Sequence, residues 1–462
     1  MKITYLGALT LSLFLASCAQ EDLGNQGNPQ DQKSAIVQLT PEEALSISYQ
    51  QVRELSDIEI IDIVKNFNEG NELSRSGDIG HIKIRDKYYI TDNVVSRTVS
   101  KGLPIAVVEV EDKNGKNLAY VCTDNRSGDI LAYLPERKEL DDITSSQAYY
   151  MLSLAKEAVA NKIKKVEHLK DSLYESTILK LKENINIPDG NIDFNSIKDK
   201  IKVIGDDDNI VRSAPVENPP YVMTQKGPFC EVAWDQREPY NRKLPTLPQF
   251  SDLHFPAGCG VVAVATLLSI VEPNMTVSSI PVNWAYLKER PTIIEPSYGG
   301  WAGEPDPQDK RDMIAYLIKD IYYGTNATTS FEKDPYMGET STRSDHLQKY
   351  LQGKINIDNW DRINLDNQLN SMNNSRPILM SGKDSSNGNA HAWVIDGYRL
   401  CKKSKARELI KIYDIYFHAN MGWGESKDNG YYLIHSDLSL TFETSASHYN
   451  SNLQQMCNAR KK

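Results

Sequence analysis

The chain has 462 residues, enough for two to four domains at roughly 150 residues each. Hydrophobic residues make up 40% and charged residues 25%, a composition of soluble globular proteins that excludes collagen-like, coiled-coil and wholly disordered chains. The 52 Lys and Arg residues against 62 Asp and Glu give a net charge of −10, which argues against general nucleic-acid binding because that requires basic patches.

The first residues predict an export signal. Lys2 precedes an apolar run, residues 3–15, that is too short to span a bilayer but has the length of a signal-peptide core. The run ends in the sequence LASC at Leu15–Cys18, which resembles the lipobox of bacterial lipoproteins. We therefore expect a signal peptide over residues 1–17, a lipid on Cys18 and a flexible, polar tether over residues 18–39. An ordinary secretory signal with an incidental cysteine is the alternative.

Residues 40–143 alternate helix and strand signals and predict a small α+β domain. One helix is expected from Pro41 behind a Thr40 cap, and a second over Ile58–Phe67, where apolar residues recur at helical spacing. Short apolar runs separated by turns that carry Gly and Asp predict the strands. These runs are Ile82–Ile84, Tyr88–Ile90, Ile105–Val110, Asn117–Val121 and Ile130–Leu134. No set of residues in this region suggests catalysis.

Residues 144–215 predict a charged helical linker and maturation region. Lys and Glu alternate with Leu, Ala and Val over Ser145–Asn184, which favours one long helix. The sequence then becomes rich in Asp and Pro, and such stretches are exposed and easily cut by proteases. We place a domain boundary near residues 205–222 and assign residues 216–462 to the domain that carries the chemistry.

Cys259 is the candidate nucleophile. It stands in the turn sequence PAGCG at residues 256–260, before an unbroken apolar run over residues 261–270 that predicts a buried helix. The thiol would then lie at a helix N-terminus, where unpaired N–H groups and the helix dipole favour the reactive thiolate. A small buried cysteine that only begins a core helix is the alternative.

Three further polar residues complete a candidate catalytic set. His391 follows Cys259 by roughly 130 residues, the spacing of papain-like enzymes, and begins an apolar run that predicts a buried strand, so it is the candidate base. The side-chain amide of Gln236 could donate to a developing oxyanion. Asn420 follows the predicted strand Lys411–Phe417 and could fix the imidazole tautomer. Each residue alone is a weak signal, and the order Gln–Cys–His–Asn makes the set a strong one.

Four motifs in this half of the chain resemble those of the streptopain family, papain-like cysteine peptidases made as zymogens. They are DQxxPYN at 235–241, AGC at 257–259, AHAWVIDGY at 390–398 and NxGWG at 420–424. The N-terminal region, with GDILAY at 128–133, resembles the inhibitory prodomain of that family. The resemblance implies an α+β fold: a small α+β prodomain, then a papain-like catalytic domain in which a helix headed by the cysteine packs on a twisted antiparallel sheet.

The resemblance also implies roles for the four residues. Cys259 would attack the peptide carbonyl, His391 would carry the proton, Gln236 would line the oxyanion hole and Asn420 would orient His391. Protein or peptide substrates follow, with the chain's own prodomain as inhibitor and the membrane as a partner through the lipid before maturation. The expected location is the outer membrane or cell surface, with release of the matured catalytic domain. No metal, organic cofactor or nucleic acid is implied.

Three features depart from the family pattern. Met421 stands where the family usually has Trp, which alters the cover over the His–Asn pair, and Trp423 is retained. Gly260 stands where the family more often has Val, which predicts a looser first helical turn. The helical stretch Ser145–Asn184 is longer than a compact prodomain needs.

Several alternatives stay open at this point. With Cys18 lipidated, five cysteines remain, and the odd number predicts at least one free thiol, while pairing of Cys230 with Cys401 or Cys457 is undecided. His418 is expected to pack beside the site. A non-enzymatic surface-binding lipoprotein on a degenerate peptidase fold, and a cell-wall peptide hydrolase with a Cys/His site, are the two rival functions.

Overall fold

A computed structural model describes most of the chain. It covers residues 36–49, 51–69, 79–91, 102–112, 115–135, 148–185, 197–204, 221–296, 304–332, 336, 338–383, 390–403, 412–424, 428–437 and 453–462. The predicted signal peptide, Cys18 and most of the tether lie outside these residues, as does the Asp- and Pro-rich linker over 205–220. In the described part of the chain, no helix is both long enough and apolar enough to cross a membrane.

The N-terminal region forms the predicted helices and strands. Its elements are β1 (Val37–Leu39), α1 (Pro41–Ser48), α2 (Asp57–Glu69), β2 (Ile79–Ile90), β3 (Leu103–Asp112), β4 (Gly115–Cys122) and β5 (Ile130–Pro135). Helix α1 begins behind a capping box, in which the Thr40 hydroxyl accepts from the Glu43 N–H and the Glu43 carboxylate accepts from the Thr40 N–H. The two short runs around Ile84 and Tyr88 join into the single strand β2.

The long charged stretch forms helix α3 (Tyr149–Asn184), which is followed by a short 3₁₀ turn (Lys198–Lys200) and β6 (Ile201–Val203). The helix is not a bare linker. Its residues Ala155, Val159 and Ile163 are fully buried in the same core as the strands of the N-terminal region. Most of its charged residues are exposed or partly exposed, but Lys156 and Lys162 are buried, so charge alone predicts a more exposed helix than the structure has.

The C-terminal region begins with β7 and contains the remaining elements. They are β7 (Tyr221–Lys226), β8 (Thr246–Leu247), β9 (Phe250–His254), α4 (Cys259–Val271), β10 (Thr276–Val277), β11 (Ile280–Pro281), α5 (Trp284–Leu287), α6 (Gln308–Gly324), β12 (Thr328–Ser330), β13 (Glu339–Ser341), α7 (Ser344–Lys354), β14 (Asp361–Arg362), α8 (Leu365–Asn373), β15 (Ile378–Lys383), β16 (Ala390–Lys403), β17 (Ile412–Asn420), β18 (Gly430–Asp437) and β19 (Leu453–Met456). Helix α4 is buried almost along its whole length, as its unbroken apolar sequence predicts.

One large sheet runs through both regions. Its strand order is β14-β19-β15-β16-β17-β18-β5-β4-β3-β2, with β7 paired to β16, and its described pairings are antiparallel. The two regions meet where β18 pairs with β5, through Tyr431 with Tyr133 and Tyr432 with Ala132. The predicted α+β class is therefore confirmed, with the N-terminal strands extending the C-terminal sheet.

Strand β16 separates two hydrophobic cores and so positions the candidate site. Ala392 and Val394 belong to the core that holds α4, whereas Trp393 and Ile395 belong to the core that holds α2, α3 and the N-terminal strands. The alternation follows from the two-residue period of a strand. Helix α4 and the N-terminal region therefore lie on opposite faces of the strand that carries His391.

Candidate active site

Cys259 is the first residue of α4, as the sequence predicts. Gly258 caps the helix with φ = 88°, a left-handed conformation that favours glycine, and a Cβ there would lie 2.8 Å from the Thr340 carbonyl oxygen. The turn therefore requires glycine immediately before the thiol. The Cys259 Sγ lies 4.0 Å from the Ala390 carbonyl oxygen, which places the thiol beside the start of β16.

The turn after the thiol is closely packed, contrary to the looser turn expected from Gly260. A Cβ on Gly260 would lie 2.2 Å from Thr342 Oγ1 and 3.5 Å from Leu347 Cδ1. Thr342 thus occupies the space that a larger residue at position 260 would need. The glycine and the threonine are complementary, and the first turn of α4 is held firmly.

The electrostatics of the thiol differ from the sequence expectation. Burial raises the pKa of Cys259 above its ordinary value, and backbone N–H groups of Ala392, Gly260 and Cys259 oppose this shift without overcoming it. The helix N-terminus is present, but among the described residues no histidine hydrogen-bonds to the sulfur to favour the thiolate. At neutral pH the thiol is therefore protonated in this structure.

His391 lies near the start of β16 but is engaged on the other face of the strand. Its ring stacks on Trp393 with centroids 5.9 Å apart, and Trp393 stacks on Tyr150 of α3 at 5.7 Å. The residue is only 4% exposed, and its Nε2 has no hydrogen-bond partner among the described residues. The imidazole and the Cys259 thiol do not hydrogen-bond to each other, so the predicted Cys–His pair is not formed in this state.

Burial lowers the pKa of His391 from 6.5 to about 4, while the backbone of Met421 beside the ring acts in the opposite direction. The imidazole is therefore neutral at pH 7. The thiol and the imidazole are therefore both neutral and lie on different faces of β16. They do not form a thiolate–imidazolium pair in this structure.

Gln236 lies in the chain segment that runs into the Cys259 loop. Its backbone carbonyl accepts from the Ala257 N–H at 2.8 Å, which holds the two segments side by side. The side chain is 4% exposed, and its Nε2 has no hydrogen-bond partner among the described residues. A buried amide donor without an acceptor is costly in a folded protein, and it is the arrangement that an oxyanion donor needs before substrate arrives.

Asn420 is the last residue of β17 and pairs in register with Val394 of β16. Its side-chain Nδ2 donates to the Val232 carbonyl oxygen at 2.8 Å, and its Oδ1 accepts from the Gly422 N–H at 3.1 Å. Neither of these hydrogen bonds is to His391. The neighbouring Met421 is fully buried, and its backbone interacts with the imidazole of His391.

The structure also settles the remaining cysteines and two of the histidines. The five described cysteines are free thiols, so the open pairing of Cys230 with Cys401 or Cys457 is not realised. His254 Nδ1 lies 3.1 Å from Glu238 Oε1, and the side chain is partly exposed. His418 Nδ1 donates to the Asp396 carboxyl group at 2.6 Å.

Sequence reasoning missed two participants. Tyr150 stacks on Trp393, the ring that lies against His391, from more than 200 residues away in the sequence, and no local pattern in α3 distinguishes it from its neighbours. Asp396 lies inside the AHAWVIDGY motif and is completely buried. A carboxyl group in an otherwise apolar strand was the signal that could have identified it.

Comparisons with known proteins agree with the resemblance. The profile of the Peptidase C10 family matches residues 234–432, a region that contains Gln236, Cys259, His391 and Asn420. The resemblance to the streptopain family is thereby confirmed for this region, and it supports a cysteine peptidase. Among solved structures, a fragment of prointerpain A from Prevotella intermedia with a cysteine-to-alanine substitution matches with a TM-score of 0.44 and 15% identity, over 82% of this chain and 98% of that chain. No curated protein matches the chain.

Proposed function

We propose that this chain is the precursor of a cysteine endopeptidase that is exported, anchored by a lipid on Cys18 and kept inactive by its own N-terminal region until the linker is cut and that region is removed. One observation carries the proposal. Within the Peptidase C10 match, Gln236, Cys259, His391 and Asn420 lie on adjoining segments, and Gln236 presents a buried donor with no acceptor. The substrates are proteins or peptides.

In the active arrangement the Cys259 thiolate attacks the carbonyl carbon of the scissile peptide bond. The negative charge that develops on the carbonyl oxygen is stabilised by the Gln236 Nε2 and the Cys259 backbone N–H. His391, as imidazolium, gives its proton to the leaving amine, which leaves a thioester on Cys259. Neutral His391 then takes a proton from water as the water attacks the thioester. The C–S bond breaks, the carboxylic acid product leaves, and the Cys259 thiolate and His391 imidazolium are restored.

Self-inhibition follows from where the imidazole lies before maturation. Trp393, which itself stacks on Tyr150, holds the His391 ring on the face of β16 that is turned away from α4. Tyr150 belongs to α3, upstream of the linker, so loss of the N-terminal segment removes one side of the stack. The ring can then approach Cys259, and Asn420 takes over its orientation. This accounts for a precursor with all its catalytic groups and no activity.

The lipid anchor and the inhibitory region lie on the same side of the linker. A cut between residues 205 and 222 followed by separation of the two parts would therefore free the catalytic domain from the membrane. The proposal rests on the LASC sequence at Leu15–Cys18 and on the order of the segments. Membrane fractions and supernatant from cells that make a C-terminally tagged chain test it: finding only full-length protein, and only in membranes, contradicts release.

The activity itself is tested with purified residues 19–462, wild type beside Cys259→Ala, incubated with reductant and casein and followed by gel. We expect the wild type to shorten to the size of the catalytic domain and to digest casein, while the variant does neither. A silent wild type is then treated with trypsin, to supply an external activator. Digestion of peptidoglycan peptides but not of casein favours the cell-wall hydrolase, and silence on both substrates favours the binding lipoprotein.

A further inference from the structure

Asp396 occupies an irregular point in the strand that carries His391. Ile395 pairs with Ala419 and Gly397 pairs with His418, so the register shifts by one residue and Asp396 has no partner on β17. Its side chain is completely buried. An extra residue of this kind turns a side chain out of the regular alternation, and such irregularities are common beside active sites.

The carboxyl group of Asp396 joins two segments that flank the candidate site. Its Oδ1 accepts from His418 Nδ1 at 2.6 Å, and its Oδ2 accepts from the Cys230 backbone N–H at 2.9 Å. The Asp396 backbone carbonyl accepts in addition from the Phe229 N–H at 2.8 Å. A buried carboxyl group is stable only when its oxygens are paired, and here both are.

The segment held by Asp396 contains no helix or strand over residues 227–235. It crosses β16 so closely that a Cβ on Gly227 would lie 2.3 Å from the Asp396 carbonyl oxygen. Side-chain contacts of Asp396 and Asn420 therefore replace the backbone ladder that a strand would have supplied.

Asn420 lies between the two groups that hydrogen-bond to the Asp396 carboxyl, His418 and the backbone N–H of Cys230. Its Nδ2 donates to the Val232 carbonyl oxygen at 2.8 Å and contacts Cys230 Sγ at 3.4 Å, on the held segment. His418 precedes Asn420 by two residues on β17, so both side chains lie on the same face of that strand. The His418 ring is also fixed edge-on against Tyr431, with centroids 5.0 Å apart.

We propose that Asp396 and His418 form a positioning pair that fixes Asn420, and through Asn420 the imidazole of His391, in the matured enzyme. The inference rests on the proposed peptidase function and adds two residues to its machinery. Neither residue touches the reacting atoms. Asp396 holds the segment to which Asn420 donates, and it also holds β17, the strand that carries Asn420. The side-chain amide of Asn420 therefore has one available position.

The test compares activated wild type with Asp396→Asn, Asn420→Ala and their double variant, using a peptide substrate. Asp396→Asn should lower kcat about 10-fold to 100-fold with KM nearly unchanged, the range found when an outer hydrogen-bond partner of a functional group is removed. In the Asn420→Ala background, Asp396→Asn should lower kcat by less than about 3-fold, because the residue that Asp396 positions is gone. Combined with Gln236→Ala, whose amide acts independently, the two effects should multiply.

Two further measurements separate positioning from a general loss of structure. His418→Asn keeps a side-chain N–H where Nδ1 stood and should retain activity within about 3-fold, whereas His418→Ala should resemble Asp396→Asn. The acidic limb of the pH profile of kcat/KM should shift in Asp396→Asn as it does in Asn420→Ala.

The outcomes are distinct. Any one of three results overturns the positioning pair. The first is that the effects of Asp396→Asn and Asn420→Ala on kcat multiply in full. The others are that the two His418 variants lose activity equally, or that Asp396→Asn leaves kcat unchanged. If Asp396→Asn does not fold, the His418 variants decide the question with the same readouts. An inactive wild type overturns the peptidase function itself, which is a different result from an active wild type that tolerates these substitutions.

Discussion

At the scale of one residue, Gln236 is the position where the effects of a substitution on activity and on stability should separate most clearly. Its Nε2 is buried without an acceptor in the part of the chain that the structure describes, so Gln236→Ala removes no described hydrogen bond from that nitrogen. We expect the free energy of unfolding to change by no more than about 1 kcal/mol, while kcat falls about 100-fold to 1,000-fold because an oxyanion donor is lost. Thermal unfolding of the full chain and peptide hydrolysis by the activated enzyme measure the two effects.

Asn241 is the matched control for this prediction. It is as deeply buried as Gln236, but its Nδ2 donates to the carbonyl oxygens of His254 and Phe255 at 3.2 and 3.1 Å. Asn241→Ala should therefore destabilise the fold by about 1–3 kcal/mol. An equal loss of stability in the two variants would show that Gln236 is a structural amide and would contradict its oxyanion role.

His391 predicts how the precursor responds to acid. Its pKa is about 4 in the folded chain against 6.5 as the ordinary value, so the folded state resists protonation more than the unfolded state does. The contribution of His391 to the free energy of unfolding is fully present above pH 6.5 and is lost as the pH falls toward 4. At pH 4.5 the loss is about 2–3 kcal/mol. Acid therefore favours states in which the ring leaves the Trp393–Tyr150 stack.

The acid response is measured as a difference between two inactive chains, Cys259→Ala with and without His391→Gln. Urea unfolding at pH 7 and pH 4.5 gives the free energy of unfolding of each. Other groups titrate in both chains, so only the difference reports on His391. The chain that retains His391 should lose more stability on acidification, and parallel losses would contradict the buried, neutral imidazole.

At the scale of one element, the first turn of α4 depends on a pair of small residues. A Cβ at position 260 would lie 2.2 Å from Thr342 Oγ1, so Gly260→Ala should destabilise the chain by about 1–3 kcal/mol through overpacking. Thr342→Ala removes that oxygen and leaves contacts of 3.5 Å, so the double variant should recover most of the loss. Thermal unfolding of the three variants measures the recovery.

Gly353 in α7 provides the control for helix propensity. A Cβ there meets nothing within 4 Å, and Gly353→Ala should stabilise the chain by up to about 1 kcal/mol. A stabilised Gly260→Ala would then mean that propensity outweighs the contact with Thr342, and the close packing at the head of α4 would be wrong.

The sequence was informative about elements and uninformative about how they associate. The capping box of α1, the apolar run of α4 and the alternating runs of the N-terminal region act locally, so their patterns predict their structure. The pairing of β18 with β5 and the contact of Tyr150 with Trp393 join segments hundreds of residues apart, and one sequence carries no signal for either. Likewise, residue types nominated Cys259 and His391, but only tertiary packing decides on which face of β16 the imidazole lies.

At the scale of the whole molecule, the N-terminal region is built into the fold rather than resting on it. Phe67 of α2 is buried against Tyr416, Tyr431 and the guanidinium of Arg399, which lies 4.7 Å from its ring centroid and donates to the Phe67 carbonyl oxygen at 3.1 Å. A sheet and a hydrophobic core continue across the junction. An interface of this kind resembles a domain core more than a transient contact.

A buried ion pair of the N-terminal region lies against the junction. Lys162 Nζ of α3 lies 2.9 Å from Asp129 Oδ2, and both side chains are almost inaccessible. Ser436 of β18 covers the pair: its Oγ lies 3.4 Å from the same carboxyl oxygen and donates to Asp414 Oδ1 at 2.6 Å. Parting the two regions would expose the pair to water without breaking it, so the continuous sheet and the shared core, rather than this pair, should keep the fragments together after the linker is cut.

The last prediction concerns the cut precursor. A Cys259→Ala chain with a specific protease site placed within residues 205–220 should, after cutting, elute from a sizing column as one complex of two fragments. Phe67→Ala should weaken that complex at least about 100-fold, because truncating a buried phenylalanine costs about 3–5 kcal/mol. Ile58→Ala, at an exposed position on the same helix, should leave it unchanged. Arg399→Leu tests the contact from the catalytic side without altering the N-terminal fragment. Fragments that separate at micromolar concentration without any of these substitutions would mean that the cut alone releases the enzyme, whereas a stable complex makes removal of the inhibitory region a second, separate step of activation.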